Sequence, residues 1–409
     1  MVARSRKFQI VIIGGGFAGL TAAQQLSSSR YDVTLIDPSQ YMEWLPNIHE
    51  IISGLKRADD LRVCRSKLLS QLGHRFLLNR AMEMGDTTIT LDSGMKIPYD
   101  ACIVATGSVN TTFGVPGAAE YGLPMKSVSQ CEAIARRLEK AKGSHRPIRV
   151  AVVGAGIEGV EVLGELLRGY GSRPQFEFSM VDGSDRLLPR CPSGLDGQIR
   201  SHTLGMPVQY HLGHKVASID AKGIKLDNGA YIKSDVVIWS GGAAPNGFLL
   251  RSQLTKQAGE WAQVNDFFQV PGKENVFVIG DAANLLGQNL AKQAYHAIDM
   301  GKCAAANAGR MLLGKPLIRY SPSPKPQVIT FGDLDTFMVF GKFALSSSVL
   351  GVVKELVYTL GLYQIAPPKT PRDLLRRLKL LQRSGRKVLW PAVQPFNLME
   401  NLQKSRLLS

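Results

Sequence analysis

The stretch that decides the fold is FQIVIIGGGFAGLTAAQQLSSSRYDVTLID, residues 8–37. Its first residues form an apolar, β-rich run that predicts a strand buried on both faces. Gly14, Gly16 and Gly19 follow as G-x-G-x-x-G. In this pattern the first glycine permits a tight turn, the second lets a pyrophosphate approach the backbone, and the third lets a helix pack on the strand. The stretch therefore predicts a strand that turns through a phosphate-binding loop.

The residues after the glycine loop complete the unit. Residues 20–26 predict a helix whose N-terminus faces the phosphates, and residues 33–36 predict a second strand. Asp37 ends that strand, where a carboxylate can accept hydrogen bonds from a ribose hydroxyl. A glycine pattern alone also marks ordinary turns, but the order strand, loop, helix, strand and acid favours a dinucleotide-binding unit.

A second copy of this unit begins at residue 148. It repeats the parts in the same order: a strand at 148–153, the loop glycines Gly154, Gly156 and Gly159, a helix at 160–167, a strand at 176–181 and a closing Asp182. Recurrence of the whole order makes coincidence much less plausible than one match would. The repeat therefore predicts two dinucleotide sites and a pair of cofactors.

Length and composition are those of a folded protein. The 409 residues are 44% hydrophobic and only 20% charged, which suits two or three domains and argues against extensive disorder. Lys and Arg number 49 against 33 Asp and Glu, and the net charge of +16 indicates an anionic partner, either nucleic acid or a lipid surface. The scattered cysteines lack a C-x-x-C spacing, which favours reduced thiols in a cytosolic setting and no metal site.

Two further stretches belong with the first glycine unit. Residues 99–107, YDACIVATG, predict a buried strand. It ends in small residues that include Thr106 and Gly107, and these let the backbone pass close to a cofactor. Residues 275–279 predict a strand that leads into the motif GDAA, and an Ala-rich helix is predicted at 289–309. The chain is therefore expected to re-enter its first domain after the second glycine unit.

Taken together, the motifs GGGFAG, ATG, GAGIEG, WSGGAAPN and VIGDAA resemble those of the flavoproteins with two dinucleotide-binding domains. Within that family the chain resembles the type II NADH:quinone oxidoreductases and the related ferroptosis-suppressor, AIF-like quinone reductases. The resemblance covers residues 8–310 and rests on the order of the motifs. It implies an α/β fold with two Rossmann-like dinucleotide-binding domains, the second inserted in the first, and a C-terminal membrane-association region.

The resemblance also implies a domain division and cofactor residues. An FAD-binding domain would comprise residues 1–115 and 246–318, an NAD(P)H-binding domain residues 116–245, and a C-terminal region with a basic amphipathic tail residues 319–409. The residues implied for FAD are Gly14, Gly16, Gly19, Asp37, Thr106, Gly107, Asp281 and Ala282, and those implied for NADH are Gly154, Gly156, Gly159 and Asp182. Asp182 favours NADH over NADPH because a 2′-phosphate would meet its charge, although the nearby Arg186 weakens this preference.

Two side chains have both a cofactor interpretation and a structural one. Glu161, two residues after Gly159, resembles the family glutamate near the nicotinamide, which implies a catalytic role. Its alternative is a solvated acid in the first helical turn, stabilised by the helix dipole. Trp44 would either lie along a flavin or pack in the core, and core packing is favoured.

The sequence departs from the family where the electron acceptor would bind. Quinone-reducing relatives carry A-Q-x-x-x-Q after the acid that holds FAD, whereas this chain has AKQAYHAID. Gln293 and His296 are retained as candidate catalytic residues, but Ala297 stands where the second glutamine would be. His296 could relay a proton to a reduced quinone, and the alternative is a packed or capping histidine.

The C-terminal part contains two candidate membrane elements. Residues 349–365 are largely apolar, but Lys354 and Glu355 interrupt them and the run is short for a membrane span. Residues 369–387 carry eight basic residues among leucines and predict a basic amphipathic helix that suits an anionic bilayer surface. The alternative is a helix that packs on its own domain or at a dimer interface.

The leading functional prediction is transfer of a hydride from NADH to FAD, with two electrons passed on to a quinone at the membrane surface. The predicted setting is cytoplasmic and peripheral to the membrane, with a quinone substrate and a homodimer as a further candidate assembly. One alternative keeps the reductive half and reduces a protein carrier or another small acceptor. Another is an NADH-responsive, AIF-like binding protein that contacts nucleic acid, although no specific nucleic acid partner is expected.

Overall fold

A computed structural model describes residues 6–288, 290–368, 370–384 and 405–409. Its strands up to residue 212 are β1 (Phe8–Ile13), β2 (Tyr31–Asp37), β3 (Tyr41–Glu43), β4 (Arg62–Cys64), β5 (Arg75–Leu78), β6 (Ala81–Met84), β7 (Thr88–Leu91), β8 (Lys96–Pro98), β9 (Ala101–Val104), β10 (Ser108–Asn110), β11 (Gly122–Pro124), β12 (Ile148–Val153), β13 (Phe176–Asp182) and β14 (Val208–Leu212). The later strands are β15 (Val216–Asp220), β16 (Gly223–Leu226), β17 (Tyr231–Lys233), β18 (Val236–Trp239), β19 (Ala243–Pro245), β20 (Ala262–Val264), β21 (Gln269–Val270), β22 (Lys273–Val278), β23 (Ala283–Leu285), β24 (Gln327–Phe331), β25 (Asp335–Phe340), β26 (Phe343–Ser346) and β27 (Arg406–Leu408).

The α-helices are α1 (Phe17–Gln25), α2 (Arg65–Gln71), α3 (Ala118–Tyr121), α4 (Val128–Ala141), α5 (Ile157–Tyr170), α6 (Gly194–His202), α7 (Phe248–Arg251), α8 (Ala294–Leu312), α9 (Leu350–Ile365) and α10 (Pro371–Ser384). Short 3₁₀ helices span Leu45–Ile51, Ala58–Asp60 and Gly280–Ala282. The chain divides into two compact units. The first comprises Met1–Glu43, Arg62–Val109 and Ala243–Ser323, and the second comprises Trp44–Leu61, Asn110–Gly242 and Pro324–Ser409.

The first unit is built on a six-stranded sheet with the order β21-β22-β9-β1-β2-β5. β1 pairs in parallel with β2 and β9, and β22 pairs in parallel with β9. The residues of β1 from Ile10 to Ile13 are all buried, which explains why a continuous apolar run replaces alternation. Because the carboxyl ends of parallel strands meet at one edge, the loops after these strands converge there.

The second unit contains a five-stranded parallel sheet with the order β11-β18-β12-β13-β14. Its central pair has the same register as the central pair of the first unit. Val153 lies beside Val181 and Ile13 lies beside Ile36, so in each unit the residue before the glycine loop neighbours the residue before the acid. The two units are thus internal repeats in register as well as in order.

An antiparallel sheet with the order β24-β25-β26-β27 also belongs to the second unit. It meets helix α5 through a pair of glycines. A Cβ added to Gly164 would lie 2.3 Å from the Gly332 nitrogen, and one added to Gly332 would lie 2.2 Å from the Gly164 carbonyl oxygen. Gly332 also has a φ of 57°, so both the space and the backbone require glycine there.

These elements confirm the predicted α/β fold with parallel sheets and correct several predicted details. The helix expected at 289–309 begins only at Ala294. Helix α1 begins at Phe17, within the G-x-G-x-x-G motif and directly after Gly16, instead of at residue 20. Helix α2 was not predicted, because its sequence RSKLLSQ has no long apolar period.

Candidate active site

The first glycine loop has the geometry that its sequence predicts. Gly14 has a φ of 96° and its nitrogen donates to the Ile36 carbonyl at 2.8 Å. A Cβ on Gly19 would lie 1.9 Å from the Gly14 carbonyl oxygen, so only glycine lets the helix approach the strand. A Cβ on Gly16 would meet nothing within 4 Å, which leaves open space at the N-terminus of α1.

The Asp37 carboxylate, at the end of β2, is held by backbone N–H groups of the glycine loop and of the residues that follow β2. Its Oδ2 accepts from the Gly15 nitrogen at 2.7 Å and its Oδ1 from the Ser39 nitrogen at 2.8 Å. Arg65 Nη1 lies 3.1 Å from Asp37 Oδ1, and Arg65 Nε donates to the Gly15 carbonyl at 2.8 Å. Sequence reasoning missed Arg65, because it comes from a distant stretch of short elements with no motif around it.

The second glycine loop repeats this arrangement. Gly154 has a φ of 108°, and a Cβ on Gly159 would lie 1.8 Å from the Gly154 carbonyl oxygen. Gly156, like Gly16, has open space where a Cβ would stand. Asp182 Oδ2 accepts from the Ala155 nitrogen at 2.7 Å, as Asp37 does from Gly15. The two loops are therefore built to hold similar ligands.

Arg186 has its own partners beside the second acid. Its guanidinium donates to the carbonyls of Pro189 at 2.7 Å and Cys191 at 3.0 Å. The Asp182 carboxylate meanwhile accepts from the Ser184 nitrogen at 2.6 Å. The arginine is thus engaged within its own loop, which supports the preference for a ribose hydroxyl over a 2′-phosphate at Asp182.

The motif GDAA forms a short 3₁₀ turn in the first unit. Gly280 has a φ of 66°, and Ala282 is fully buried. Asp281 Oδ2 accepts from Ser108 Oγ at 2.9 Å, a partner that sequence reasoning missed. Thr106 Oγ1 is buried without a hydrogen-bond partner in the described part of the chain. A buried hydroxyl of this kind fits a bound polar group, since leaving it unsatisfied costs free energy.

A cavity of about 160 Å³ in the first unit is lined by Gly280, Asp281, Gln293, His296 and Ala297, among others. Gln293 lies just before α8 in extended conformation, and its buried Oε1 has no hydrogen-bond partner among the described residues. His296 lies in the first turn of α8 and is buried. The structure therefore brings the predicted acid, glutamine and histidine to one cavity.

The wall of this cavity also contains a lysine that was not predicted. Lys292 Nζ donates to the Asp281 carbonyl at 2.5 Å and lies 3.5 Å from the centroid of the Trp261 ring. Burial lowers the pKa of Lys292, although the Asp281 carboxylate opposes that shift. The cavity thus has a cation next to its acid.

Glu161 is not a solvated acid in the first turn of α5. It is buried, and its Oε1 accepts from Lys354 Nζ at 2.6 Å and from the Thr330 nitrogen at 3.1 Å. Its Oε2 lies 3.6 Å from His49 Nδ1. The alternative based on the helix dipole is therefore wrong. The sequence did carry one signal for this cluster, because Lys354 interrupts an otherwise apolar helix.

Burial determines the protonation of His49. It lowers the pKa of this imidazole to about 4, with Glu161 acting in the opposite direction and Lys354 adding to the decrease. His49 is therefore neutral at pH 7. The lysine and the neutral imidazole both lie against Glu161, so the cluster can hold and move a proton at a carboxylate oxygen.

The predicted core role of Trp44 is confirmed. Its ring meets Tyr358 edge-on, with centroids 5.8 Å apart, and Trp44 Nε1 donates to Asn47 Oδ1 at 2.9 Å. A Cβ on Gly361 would lie 2.2 Å from the indole ring. Trp44 therefore anchors helix α9 within the second unit.

Comparison with known proteins decides the family. The model of the pyridine nucleotide-disulphide oxidoreductases matches residues 8–301. The chain belongs to this family. It is an α/β member with two dinucleotide units, and it lacks the C-x-x-x-x-C that disulphide reductases carry after the first acid.

Curated relatives of this family member include NADH dehydrogenases. It is 25% identical over 378 residues to the alternative NAD(P)H-ubiquinone oxidoreductase C1 of Arabidopsis thaliana, covering 81% of this chain and 72% of the relative. It is 27% identical to the type II NADH:quinone oxidoreductase Ndh of Mycobacterium tuberculosis, covering 69% and 68%. A third relative, the type II NADH:quinone oxidoreductase of Staphylococcus aureus, is 22% identical with 89% and 97% covered.

Solved structures show the same fold. NDH2 from Plasmodium falciparum in complex with NADH has a TM-score of 0.81 at 16% identity, with 92% of this chain and 98% of that chain covered. The sulfide:quinone oxidoreductase of Aquifex aeolicus has a TM-score of 0.78 at 18% identity, with 91% and 95% covered. At these identities the likeness is one of fold.

The C-terminal helices of this family member have exposed apolar faces. On α9, Lys354, Glu355 and Tyr358 are buried, whereas Leu356, Val357 and Leu360 are exposed. On α10, Leu374, Leu375 and Leu378 are exposed among the side chains that the structure describes. Lys369 and residues 385–387 of the predicted basic helix lie outside the described residues. Among the residues that are described, no helix is both long and apolar enough to cross a membrane.

Proposed function

We propose that the protein transfers a hydride from NADH to FAD and passes two electrons on to a quinone. The repeat of the glycine loop and its closing acid carries this proposal, because two matched dinucleotide sites call for two nucleotide cofactors in one chain. Membership of the pyridine nucleotide family and the names of its curated relatives agree with it. FAD, when bound, supplies the two-electron centre between NADH and the quinone.

We assign FAD to the first unit and NADH to the second, which keeps the order of the cofactors expected from sequence. The open space above Gly16, the unsatisfied Thr106 hydroxyl and the fixed Asp281 carboxylate fit FAD. The matching Gly156 and Asp182 fit the adenosine end of NADH. The remaining residues proposed for the cofactors are Gly14, Gly19, Asp37, Gly107 and Ala282 for FAD, and Gly154 and Gly159 for NADH.

We assign catalytic roles to Glu161, Gln293 and His296 from the groups that surround each side chain. Glu161 contacts Lys354 and the neutral His49, so we assign it to proton handling next to the nicotinamide. Gln293 and His296 line the cavity beside Asp281, which supports a role in orienting and protonating a quinone oxygen. A neutral imidazole can accept a proton on one nitrogen while it donates from the other.

A long-chain quinone resides in lipid, so the protein needs a surface that docks on a bilayer. The exposed leucines of α10 lie among arginines and lysines in the sequence PRDLLRRLKLLQRS. Aliphatic insertion and attraction to anionic headgroups act together on such a helix. This supports a peripheral position on an anionic membrane surface, on the cytoplasmic side.

The test is anaerobic reduction by NADH followed by reoxidation with a panel of acceptors. NADH should bleach the flavin, and quinones should restore its colour faster than a ferredoxin-type protein carrier does. Fast reoxidation by the carrier with slow reoxidation by every quinone would contradict the proposal. A flavin that NADH does not reduce, together with salt-sensitive polynucleotide binding, would favour the binding-protein alternative.

A further inference from the structure

Helix α5 contains a second buried acid, Glu165, to which the proposed function assigns no role. Glu165 follows Glu161 by one helical turn and is fully buried. The Ser53 hydroxyl and the Arg168 guanidinium both donate to its carboxylate. Arg168 Nε in turn donates at 2.7 Å to Asp333 Oδ1, and the Asp333 side chain is 64% exposed. Glu165 therefore lies between Glu161 and a solvent-facing ion pair.

The surrounding side chains form what we call the charge cluster of the second unit. Its members are Glu161, Glu165 and Arg168 on α5, His49 and Glu50 on the 3₁₀ helix Leu45–Ile51, the nearby Lys56, and Lys354 and Glu355 on α9. Lys56 Nζ lies 2.8 Å from Glu50 and 2.5 Å from Glu355. With His49 neutral, the cluster has four acids and three bases, which leaves one negative charge in excess.

An excess buried charge is costly, so one of these acids holds a proton near neutral pH. Glu161 has Lys354 as a close partner, and Lys56 serves both Glu50 and Glu355. Glu165 shares its cation, Arg168, with Asp333. Burial raises the pKa of Glu165 to about 7, although Arg168 opposes this shift, and the charge of Glu50 adds to it.

We propose that the Glu165 carboxyl is the proton store of the enzyme. It takes a proton from solvent and delivers that proton to Glu161 when the quinone is reduced. This inference rests on the proposed function. Reduction of a quinone to a quinol takes two electrons and two protons, and NADH supplies both electrons and one proton as a hydride. The second proton leaves the Glu165 carboxyl for the Glu161 carboxylate, from which reduction of the quinone draws it, and solvent then returns one proton to the Glu165 carboxylate, so each turnover is balanced.

The geometry suits a short transfer. Residues four apart on one helix have Cβ atoms roughly 5–6 Å apart and lie on the same face. Glu161 and Glu165 both face the segment of the second unit that contains His49 and Ser53. Arg168 is itself permanently charged and does not carry the proton, but the exposed carboxylate of Asp333 brings solvent to its other side. The half-buried Ser53 hydroxyl, which donates to the Glu165 carboxylate and can also accept a proton, refills the store, and the store is emptied toward Glu161.

The experiment compares Glu165→Gln, Asp333→Asn and the wild type in the full-length, FAD-loaded protein. Glu165→Gln keeps the shape of the side chain and removes its titration. Asp333→Asn removes a nearby negative charge and leaves Arg168 to Glu165 alone, so it should lower the pH at which Glu165 titrates. Glu177→Gln is the matched control, because Glu177 is an exposed acid of the same unit bound to Arg149 at 3.1 Å.

Two measurements are made on each variant. The first is infrared difference spectroscopy of the resting protein against pH, which detects a protonated carboxyl without any turnover. The wild type and Glu177→Gln should lose that signal as the pH rises through about 7. Asp333→Asn should lose it at lower pH, and Glu165→Gln should lack it. The second is the rate at which a quinone reoxidises the reduced enzyme, which should fall about tenfold in Glu165→Gln and lose its inflection near neutral pH.

The outcomes separate the two proposals. A carboxyl signal that persists in Glu165→Gln, or an unchanged pH profile of reoxidation, overturns the proton store. Unchanged flavin reduction by NADH in Glu165→Gln, with slow reoxidation, supports it and excludes general damage to the fold. A wild type that NADH reduces but no quinone reoxidises overturns the proposed function, and that result is visible before any variant is made.

Discussion

At the scale of single residues, Asp182 is expected to govern the choice of coenzyme. Both of its carboxylate oxygens are oriented by backbone N–H groups, and Arg186 is engaged by carbonyls of its own loop. Replacing Asp182 by Ser removes the charge that repels a 2′-phosphate. We expect the ratio of kcat/KM for NADH over that for NADPH to fall roughly tenfold.

The matched control is Asp37→Ser, because Asp37 has the same geometry in the first unit. It should weaken FAD retention and leave the coenzyme ratio unchanged. Equal kcat/KM values for NADH and NADPH in the wild type would show that Asp182 does not make the choice.

Lys354 is expected to stabilise the fold through Glu161. Both side chains are buried and their charged atoms lie 2.6 Å apart, so Lys354→Met leaves a carboxylate buried without its cation. We expect a loss of about 3–5 kcal/mol in the free energy of unfolding, measured by urea denaturation. The double variant with Glu161→Gln should lose less than Lys354→Met alone. Additive losses would show that the two groups do not depend on each other.

The dependence of stability on pH has two opposing contributions in the charge cluster. His49 has a pKa of about 4 in the folded protein against an ordinary 6.5. Because the unfolded chain takes up the proton first, the stability that the neutral His49 contributes is lost as the pH falls through that interval. Glu165 has a folded pKa of about 7 against 4.5, so its contribution is lost as the pH rises through that interval.

Glu165→Gln removes the second contribution. As the pH rises from 4.5 to about 7, the wild type should lose free energy of unfolding through Glu165 and the variant should not, so the variant becomes more stable relative to the wild type. Urea denaturation across this interval measures the difference. Glu177→Gln should run parallel to the wild type, and a Glu165→Gln curve that does the same would contradict the assignment.

At the scale of elements, the exposed leucines of α10 are expected to bind lipid. We expect the triple substitution of Leu374, Leu375 and Leu378 by Ser to lower binding to anionic vesicles about a thousandfold or more if all three side chains insert fully, because roughly 1.5–3 kcal/mol is lost per inserted leucine. Reduction of FAD by NADH should be unaffected. Cosedimentation with vesicles and stopped-flow absorbance measure the two effects.

Leu204→Ser is the control, because Leu204 is 80% exposed elsewhere in the second unit. Vesicle binding that survives the triple substitution would move the contact to another part of this basic chain. Deletion of the whole tail is a poorer test, because the end of the chain is part of the fold. Residues Arg406–Leu408 form β27, which pairs with β26.

The sequence predicts those elements whose signals are local. The strands Phe8–Ile13 and Ile148–Val153 match their predicted bounds, because each is an apolar run that ends at a glycine loop. The partners of the acids escaped prediction for the opposite reason. Arg65 reaches Asp37 and Lys354 reaches Glu161 only after distant segments fold together, and no spacing in the sequence records such a contact.

At the scale of the whole molecule, FAD should be bound at about one per chain and the purified protein should be yellow. Asp281 is held by Ser108, and it is the acid that we assign to FAD. Asp281→Ala should lower flavin content after gel filtration without unfolding the chain, as judged by circular dichroism. A colourless, folded wild type that does not take up added FAD would contradict the assignment of the first unit.

Loss of FAD should also lower thermal stability, because a ligand that binds only the folded state shifts unfolding by mass action. Adding FAD to Asp281→Ala should raise its melting temperature toward that of the wild type. No rise at saturating FAD would show that this aspartate is required for more than affinity.

The contact between Gly164 and Gly332 limits how this protein can change by mutation. Each residue occupies the space that a methyl group on the other would need, so an alanine at either position forces two backbones apart. A second alanine cannot compensate, since it adds to the same crowding. No single substitution at Gly164 or Gly332 is therefore free of a steric clash, and no second substitution at the other position relieves it. Exposed residues around this contact can be substituted, whereas no residue smaller than glycine exists for these two positions.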